Sequence, residues 1–232
     1  MRTFFPIPLL IITGLAVDQL AGAWGQSLVV AVTWLYFLVF LRRCTVSDRV
    51  MMGLCLVYAS IGEVLLSLVW RVYDYRLGNL PLFVPPGHVL LFLLGLSIAP
   101  HVAPWAVRSI AILAALVVAG LAVTGRDTFS VLLVSVFLMS VVFGRERKLY
   151  ATMFVLALAM ELYGTWLGNW HWSPRVAQTG MVTLNPPVAA GAFYCALDLL
   201  VMWSMRGLSH LAPTLVPLHA PLIVRAHHPL QL

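Results

Sequence analysis

The stretch Val50-Met-Met-Gly-Leu-Cys-Leu-Val-Tyr-Ala-Ser-Ile-Gly-Glu63-Val-Leu-Leu-Ser-Leu-Val-Trp70 holds one charged residue, Glu63, among apolar and small side chains. A helix needs about 20 residues to cross a hydrocarbon core, and this run supplies them. It shows no period-2 alternation, so in lipid its backbone is satisfied by a helix rather than by a barrel strand. The same reading along the chain gives spans near 5–24, 27–41, 50–70, 83–100, 104–124, 128–143, 149–168 and 186–205. The expected fold is all-α, a polytopic membrane helix bundle of about eight transmembrane helices over 1–207, with an irregular cytoplasmic tail over 208–232.

Composition and charge agree with this reading. Of 232 residues, 62% are hydrophobic and 9% charged, against roughly 25% charged in a soluble domain. The net charge of +6 comes from Lys and Arg scattered in short connections. That pattern argues against a nucleic-acid partner and fits the positive-inside rule. Arg42, Arg43 and Arg49 follow the second span, and Arg145, Arg147 and Lys148 the sixth. With eight spans they share a side with Arg2, Arg206 and Arg225, leaving Arg71, Arg76, Arg126 and Arg175 opposite. The expected location is a bacterial-type inner (plasma) membrane, multi-pass, with both termini cytoplasmic. The N-terminal apolar run has no small-residue cleavage site and reads as a retained first helix. Cys44, Cys55 and Cys195 have neither metal-type spacing nor a disulfide framework. His210, His219, His227 and His228 read as part of a solvated tail.

An internal repeat surrounds the opening stretch. Glu63 is followed by Ser67, Trp70, Tyr73, Tyr75, Arg76 and then Pro85-Pro86. Glu161 is followed by Thr165, Trp166, Trp170, Trp172, Arg175 and then Pro186-Pro187. Leu77-Gly78-Asn79 and Leu167-Gly168-Asn169 echo each other out of register, and Phe92 and Phe193 lie equally far beyond their Pro pairs. Each unit reads as a helix with a buried acid, an aromatic loop with Arg, a Pro-Pro helix start and another helix. The halves, about 1–102 and 103–207, are then a parallel 4+4 repeat about an axis along the membrane normal, with both aromatic loops external.

The acids carry the expected chemistry. Glu63 and Glu161 each sit roughly 10 Å below the outer surface, at 1.5 Å per helical residue. An ionisable group at that depth marks a functional site by default. Ser60, Glu63, Ser67 and Trp70 form one stripe, and Glu161, Thr165 and Gly168 form its match. Desolvation and mutual repulsion would keep one of two such carboxylates protonated near neutral pH, while the other stabilises positive charge. The alternative is a structural pair of acids tied to Arg76 and Arg175. His88, just past Pro86, is a candidate acid, base or ligand. Asp18 and Asp198 complete a polar centre, with Tyr194 on the face of Asp198 at i, i+4. No Glu-x-x-His, His-x-x-x-His or His-Glu-x-x-His occurs, so no metal site is expected. No Gly-x-Ser-x-Gly elbow or phosphate-binding glycine loop occurs either. Trp70, Tyr73, Tyr75, Trp166, Trp170, His171 and Trp172 read first as an interfacial belt. Alternatively they line a pocket mouth that holds a carbocation by cation–π attraction.

Glu161-Leu-Tyr-Gly164-Thr-Trp-Leu-Gly168-Asn-Trp170-His-Trp172 resembles a motif of membrane carotenoid-biosynthesis proteins, namely bacterioruberin-type carotenoid hydratases and small membrane lycopene cyclases. The resemblance covers about a fifth of the chain. It implies a multi-helix membrane fold and protonation of an isoprenoid double bond, followed by water addition or ring closure. It carries over to Glu161, Gly164, Gly168, Trp170 and Trp172, and through the repeat to Glu63, Tyr73 and Tyr75. The chain has Trp where the family pattern has Tyr, and its Asn185-Pro186-Pro187 has no place in that pattern.

The leading reading is an integral membrane enzyme acting on a long apolar, isoprenoid- or carotenoid-like substrate by carboxylate acid–base chemistry, and it names no cofactor. Its catalytic candidates are Glu63, Glu161, His88 and Asp198. Its substrate-binding candidates are Trp70, Tyr73, Tyr75, Arg76, Trp166, Trp170, Trp172, Arg175, Asn185 and Tyr194. The other readings are a small proton- or cation-coupled transporter and a non-catalytic subunit packed on membrane-protein partners. All three readings share the lipid bilayer as a partner, and the first adds a hydrophobic small-molecule substrate.

Overall fold

The computed structural model describes residues 6–211. It is mostly helical, at 75%. Its helices are α1 (Pro6–Leu20), α2 (Gly22–Arg42), α3 (Val46–Glu63), α4 (Val84–Ile98), α5 (Pro104–Val123), α6 (Phe129–Phe143), α7 (Arg147–Leu167) and α8 (Ala192–Leu211). Each falls on an expected span. Five helical stretches are long and apolar enough to cross a membrane: α2, α3 with its continuation to Val69, α4 to His101, α5 and α7. Helices α1 and α6 are apolar but shorter. Large side chains such as Leu35 on α2, Leu116 on α5 and Phe143 on α6 are exposed. So much bare apolar surface suits lipid, not water.

Local chemistry sets the boundaries. At the start of α3, Thr45 and Asp48 form a reciprocal capping box, satisfying two backbone N–H groups that the first turn orphans. Pro85 and Pro86 fill the first turn of α4, where a missing N–H costs nothing. Gly168 ends α7 in the left-handed conformation, at φ 83°, which glycine adopts without a steric penalty.

Helices α4 and α7 form the buried centre, packed on each other and flanked by α1, α2, α3 and α8. Their ends sort into two faces. At one, Asn169 bonds to α1, Tyr73–Tyr75 pairs with Trp170–Trp172, and the Phe129 N–H donates to the Val182 carbonyl. At the other, the Lys148 ammonium donates to the Pro100 carbonyl, and Arg206 pairs with Glu146 at 2.9 Å. Helices that alternate between these faces put Arg42, Arg43, Arg49, Arg108, Arg145, Arg147, Lys148 and Arg206 at the second, the basic end. Arg71, Arg76, Arg126 and Arg175 fall at the first.

Four features differ from the sequence expectation. The fold is not purely helical: β1 (Tyr73–Tyr75) and β2 (Trp170–Trp172) form an antiparallel ribbon. The third span ends in a π-helical stretch, Val64–Val69, which re-aims the chain into β1. Pro186-Pro187 does not start a helix. The Val188 and Ala189 N–H groups donate to Asp127 and Ser130 side chains, and α8 begins only at Ala192. Helix α8 also runs to Leu211, so 208–211 with the exposed His210 is helix rather than tail. His219, His227, His228, Arg2 and Arg225 lie outside the described residues.

Candidate functional site

The ribbon decides where the acids' partners lie. Its register places Tyr73 opposite Trp172 and Tyr75 opposite Trp170. Alternate strand residues face one side, so the four aromatic rings share the inner face, while Asp74 and His171 point outward. Tyr73 packs on Trp172 at 4.8 Å between centroids, and Tyr75 on Trp170 at 6.1 Å. Directly beneath this aromatic roof sit Glu63 and Glu161, both buried.

Each glutamate is held from the roof by two donors on one oxygen. Glu63 Oε2 accepts from the hydroxyls of Tyr73 at 2.8 Å and Tyr75 at 2.6 Å. Glu161 Oε2 accepts from the indole N–H of Trp170 at 2.8 Å and of Trp172 at 3.1 Å. Burial first, and then the nearby Glu63 charge, push both ribbon phenols well above their ordinary range. They therefore stay protonated and donate. The second oxygen of Glu63 meets His88 Nε2 at 2.9 Å. The His88 ring stacks on Tyr194 at 4.5 Å, and Tyr194 lines the same cavity as Glu161.

Small residues permit this packing. A Cβ at Gly164, one turn above Glu161, would collide with the Trp170 indole. Ser67 and Thr165, four residues beyond the acids, donate to the carbonyls of Glu63 and Glu161. Such back-bonding leaves the hydroxyls no further proton to give the acids.

The acids face a cavity of about 70 Å³. Its polar wall is Glu63, Glu161, His88, Tyr73, Tyr75, Trp170 and Tyr194, and its apolar wall comes from α1, α2, α4 and Met160 of α7. The sequence candidates Glu63, Glu161, His88, Tyr73, Tyr75, Trp170 and Tyr194 therefore meet in one place. Trp172 joins them through its bond to Glu161.

The other candidates stand elsewhere. Trp166 is 78% exposed on the outer face of α7. Trp70 packs edge-on against Phe129 at 6.0 Å. Asn185 is exposed and braces the ribbon, accepting from the Trp172 N–H at 2.9 Å. Arg175 is exposed and pairs through its backbone with Val182. Neither arginine touches the acids, which corrects the expectation of an ion pair. Arg76 instead lies 3.7 Å from Asp18, and Asn169 donates to Asp18 at 2.6 Å. Asp18 therefore belongs to a separate lock between α1 and the ribbon. Asp198 is buried off the cavity with no hydrogen-bond partner on either oxygen, at about 1–3 kcal/mol for each unsatisfied group.

Sequence reasoning missed two contributors. Asp127 is wholly buried and binds the Ser130 and Val188 N–H groups, anchoring the loop before α8. Thr33 of α2 lines the cavity. Asp127 sits in an Asp-Thr-Phe-Ser stretch whose capping pattern was visible, whereas Thr33 gave no signal within an apolar run. Among the described residues, no group of three or more His, Cys, Asp or Glu side chains is placed to hold a metal. No protein-family model, curated protein or solved structure matches the chain.

Proposed function

We propose that the protein is an integral membrane enzyme that protonates a double bond in an apolar, isoprenoid-type substrate, with Glu161 as the acid and Glu63 as the counter-charge and base. The observation that carries this reading is the pair of buried carboxylates facing one cavity under an aromatic roof. Two carboxylates in one low-dielectric space are held most cheaply with a single proton between them. Glu63, with two phenol donors on one oxygen and His88 Nε2 against the other, suits the ionised role. Both indole bonds to Glu161 land on Oε2, which leaves Oε1 for the transferable proton.

In the proposed step, the Glu161 proton adds to one alkene carbon and leaves a tertiary carbocation at the other. The faces of Tyr73, Tyr75 and Trp170 stabilise that cation, as does the Glu63 charge. Water then attacks it and gives its proton to Glu63, or a second double bond closes a ring and a C–H proton is lost there. The apolar walls from α1, α2 and α4 suit a substrate arriving from the bilayer. The bundle crosses the membrane eight times as two duplicated halves, with the basic end in the cytoplasm. The resemblance of Glu161–Trp172 to carotenoid hydratases and cyclases favours the same chemistry.

The test is incubation of the purified protein with a linear polyisoprenoid hydrocarbon in D₂O. The expected product carries one solvent deuterium on carbon, and Glu161→Gln abolishes it while leaving a folded protein. No deuterium incorporation, or full activity in Glu161→Gln, sinks the assignment. Proton flux across sealed vesicles without product would favour the transporter.

A further inference from the structure

We propose that Thr33 of α2 positions the water molecule that captures the carbocation, so that the product of this site is a tertiary alcohol rather than a ring. The inference rests on the reading of Glu161 as the acid and Glu63 as the base, and it adds the group that places the nucleophile.

Helix α2 buries Gly25, Val29, Thr33 and Phe37, a stripe at four-residue steps that faces the bundle. Val29 and Thr33 line the cavity, and Thr33 is only 4% exposed. Every other residue that α1 and α2 give to the cavity wall is apolar or glycine. Register fixes the depth of Thr33. Helices α1 and α2 pack as a hairpin in which a Cβ on Gly14 would meet Val29 Cγ1 at 3.4 Å. One turn further from the bend, Leu10 stands level with Thr33, and both line the cavity. Helix α7 runs alongside α1: the Tyr163 hydroxyl donates to the Ile12 carbonyl at 3.1 Å, and Asn169 donates to the Leu15 carbonyl at 3.0 Å. Glu161, two residues before Tyr163, therefore comes to the depth of Leu10 and Thr33.

The Thr33 hydroxyl is also unengaged. A threonine inside a helix can donate to the carbonyl one turn back, as Thr13 and Thr165 do. Each of the other buried serines and threonines among the described residues has a side-chain hydrogen bond. Thr33 has none among them. A hydroxyl left bare among apolar groups costs free energy, and an alkene offers it no partner. Water does, because a buried water is held by several polar groups, and Thr33 and the two carboxylates surround one cavity. Its volume of about 70 Å³ exceeds the roughly 10–15 Å³ that one water needs, which leaves space for the reacting carbons. A ring-closing site would be better served by valine, which has the same shape without the hydroxyl, since a held water intercepts the cation.

In the step, the Thr33 oxygen accepts a hydrogen bond from the water and turns a water lone pair toward the cation. That lone pair forms the C–O bond, and the water's other proton passes to the Glu63 carboxylate. Glu161 has given one proton to carbon and Glu63 has gained one, so the pair keeps its single proton. The net change is the addition of one water.

The experiment is turnover of squalene, as the linear polyisoprenoid probe, by the full chain in lipid nanodiscs in D₂¹⁸O, with products read by mass spectrometry. The parent is expected to give an alcohol with one deuterium on carbon and one ¹⁸O. Thr33→Val keeps the shape and removes the hydroxyl, and is expected to lower the labelled alcohol at least about tenfold. Deuterium on carbon is retained, now in isomerised or cyclised hydrocarbon, and Thr33→Ser restores the alcohol. A purely structural role would lower deuterium and ¹⁸O together, and that result overturns the proposal. An unchanged alcohol yield in Thr33→Val, or deuterium without ¹⁸O in the parent, overturns it while Glu161 stands as the acid. If Thr33→Val does not insert, a parent-level alcohol yield in Thr33→Ala overturns it equally. No deuterium in the parent's products overturns the acid reading itself, and the role of Thr33 with it.

Discussion

Glu63 and Glu161 are seated by the same device made from different chemistry. In each, two aromatic donors from one strand of the ribbon converge on Oε2. Around Glu63 the donors are phenols, which can lose and regain a proton, and a histidine takes the other oxygen. Around Glu161 they are indoles, which cannot. Both walls orient a carboxylate, but only the first can also exchange protons with it. The bulk differs too. An indole needs more room than a phenol, and three residues beyond the acid α7 has Gly164 where the stretch after α3 has Leu66.

The largest effect should follow from that difference in bulk. Gly164→Val drives a branched side chain into the Trp170 ring and is expected to cost about 3 kcal/mol or more, displacing the roof. At the matching position, Leu66→Ala only trims a half-buried side chain and should cost about 1 kcal/mol. Thermal unfolding in detergent, read beside tryptophan fluorescence, measures both. Equal losses would mean that the two acid-bearing segments do not divide their volume in this way.

The glutamates come next. Gln at 161 can still accept both indole bonds through one oxygen, so Glu161→Gln should fold within about 1 kcal/mol of the parent. Gln at 63 turns an NH₂ toward either the two phenols or the histidine. Facing the phenols it strands two donors, and facing the histidine it makes the ring switch tautomer to accept at Nε2, so a loss of about 1–3 kcal/mol is expected, the larger of the two. If the order is reversed, Glu161 is the structural member of the pair.

The phenols set a finer scale. Tyr73→Phe and Tyr75→Phe each remove one of the two phenol donors and should cost about 1 kcal/mol apiece, with a combined loss that is not additive, because both bonds share one oxygen.

Much of this was legible in the chain. Long apolar runs bounded by arginines give eight helices because lipid leaves the backbone no other partner. The acids stood out because each was a lone charge in such a run. The ribbon was not legible. Tyr-Asp-Tyr and Trp-His-Trp are too short to announce strands, and their pairing joins segments nearly a hundred residues apart. Without that pairing, Arg76 and Arg175 looked like the acids' natural partners by charge alone. The structure gives the acids neutral aromatic donors instead, which avoids burying two more charges. The late start of α8 was hidden for a similar reason: Asp127 and Ser130, from another connection, bind the Val188 and Ala189 N–H groups and hold this segment ahead of the helix.

The two arginines give the last and smallest contrast. Arg76 directly follows β1 and Arg175 stands three residues beyond β2, yet only Arg76 ties down another element. Arg76 donates to the Asp18 main-chain carbonyl at 2.5 Å and lies 3.7 Å from its carboxylate. At that separation the carboxylate contact is an ion pair without a hydrogen bond. Asp18 is nearly fully buried but keeps its bond from Asn169 when Arg76 is removed. The loss in Arg76→Ala should therefore fall below that of a fully broken buried pair, at about 1–2 kcal/mol. Replacing Asp18 by Asn in the same background should return part of it, because the stranded charge is then gone. Arg175 contacts no acid, and its backbone bridge to Val182 survives any side-chain change that leaves the N–H in place. Arg175→Ala should stay within about 0.5 kcal/mol of the parent. Denaturant titration of the three variants would decide the matter. Equal losses for Arg76→Ala and Arg175→Ala would mean that both arginines act through the bilayer interface, and that the lock on α1 contributes nothing of its own.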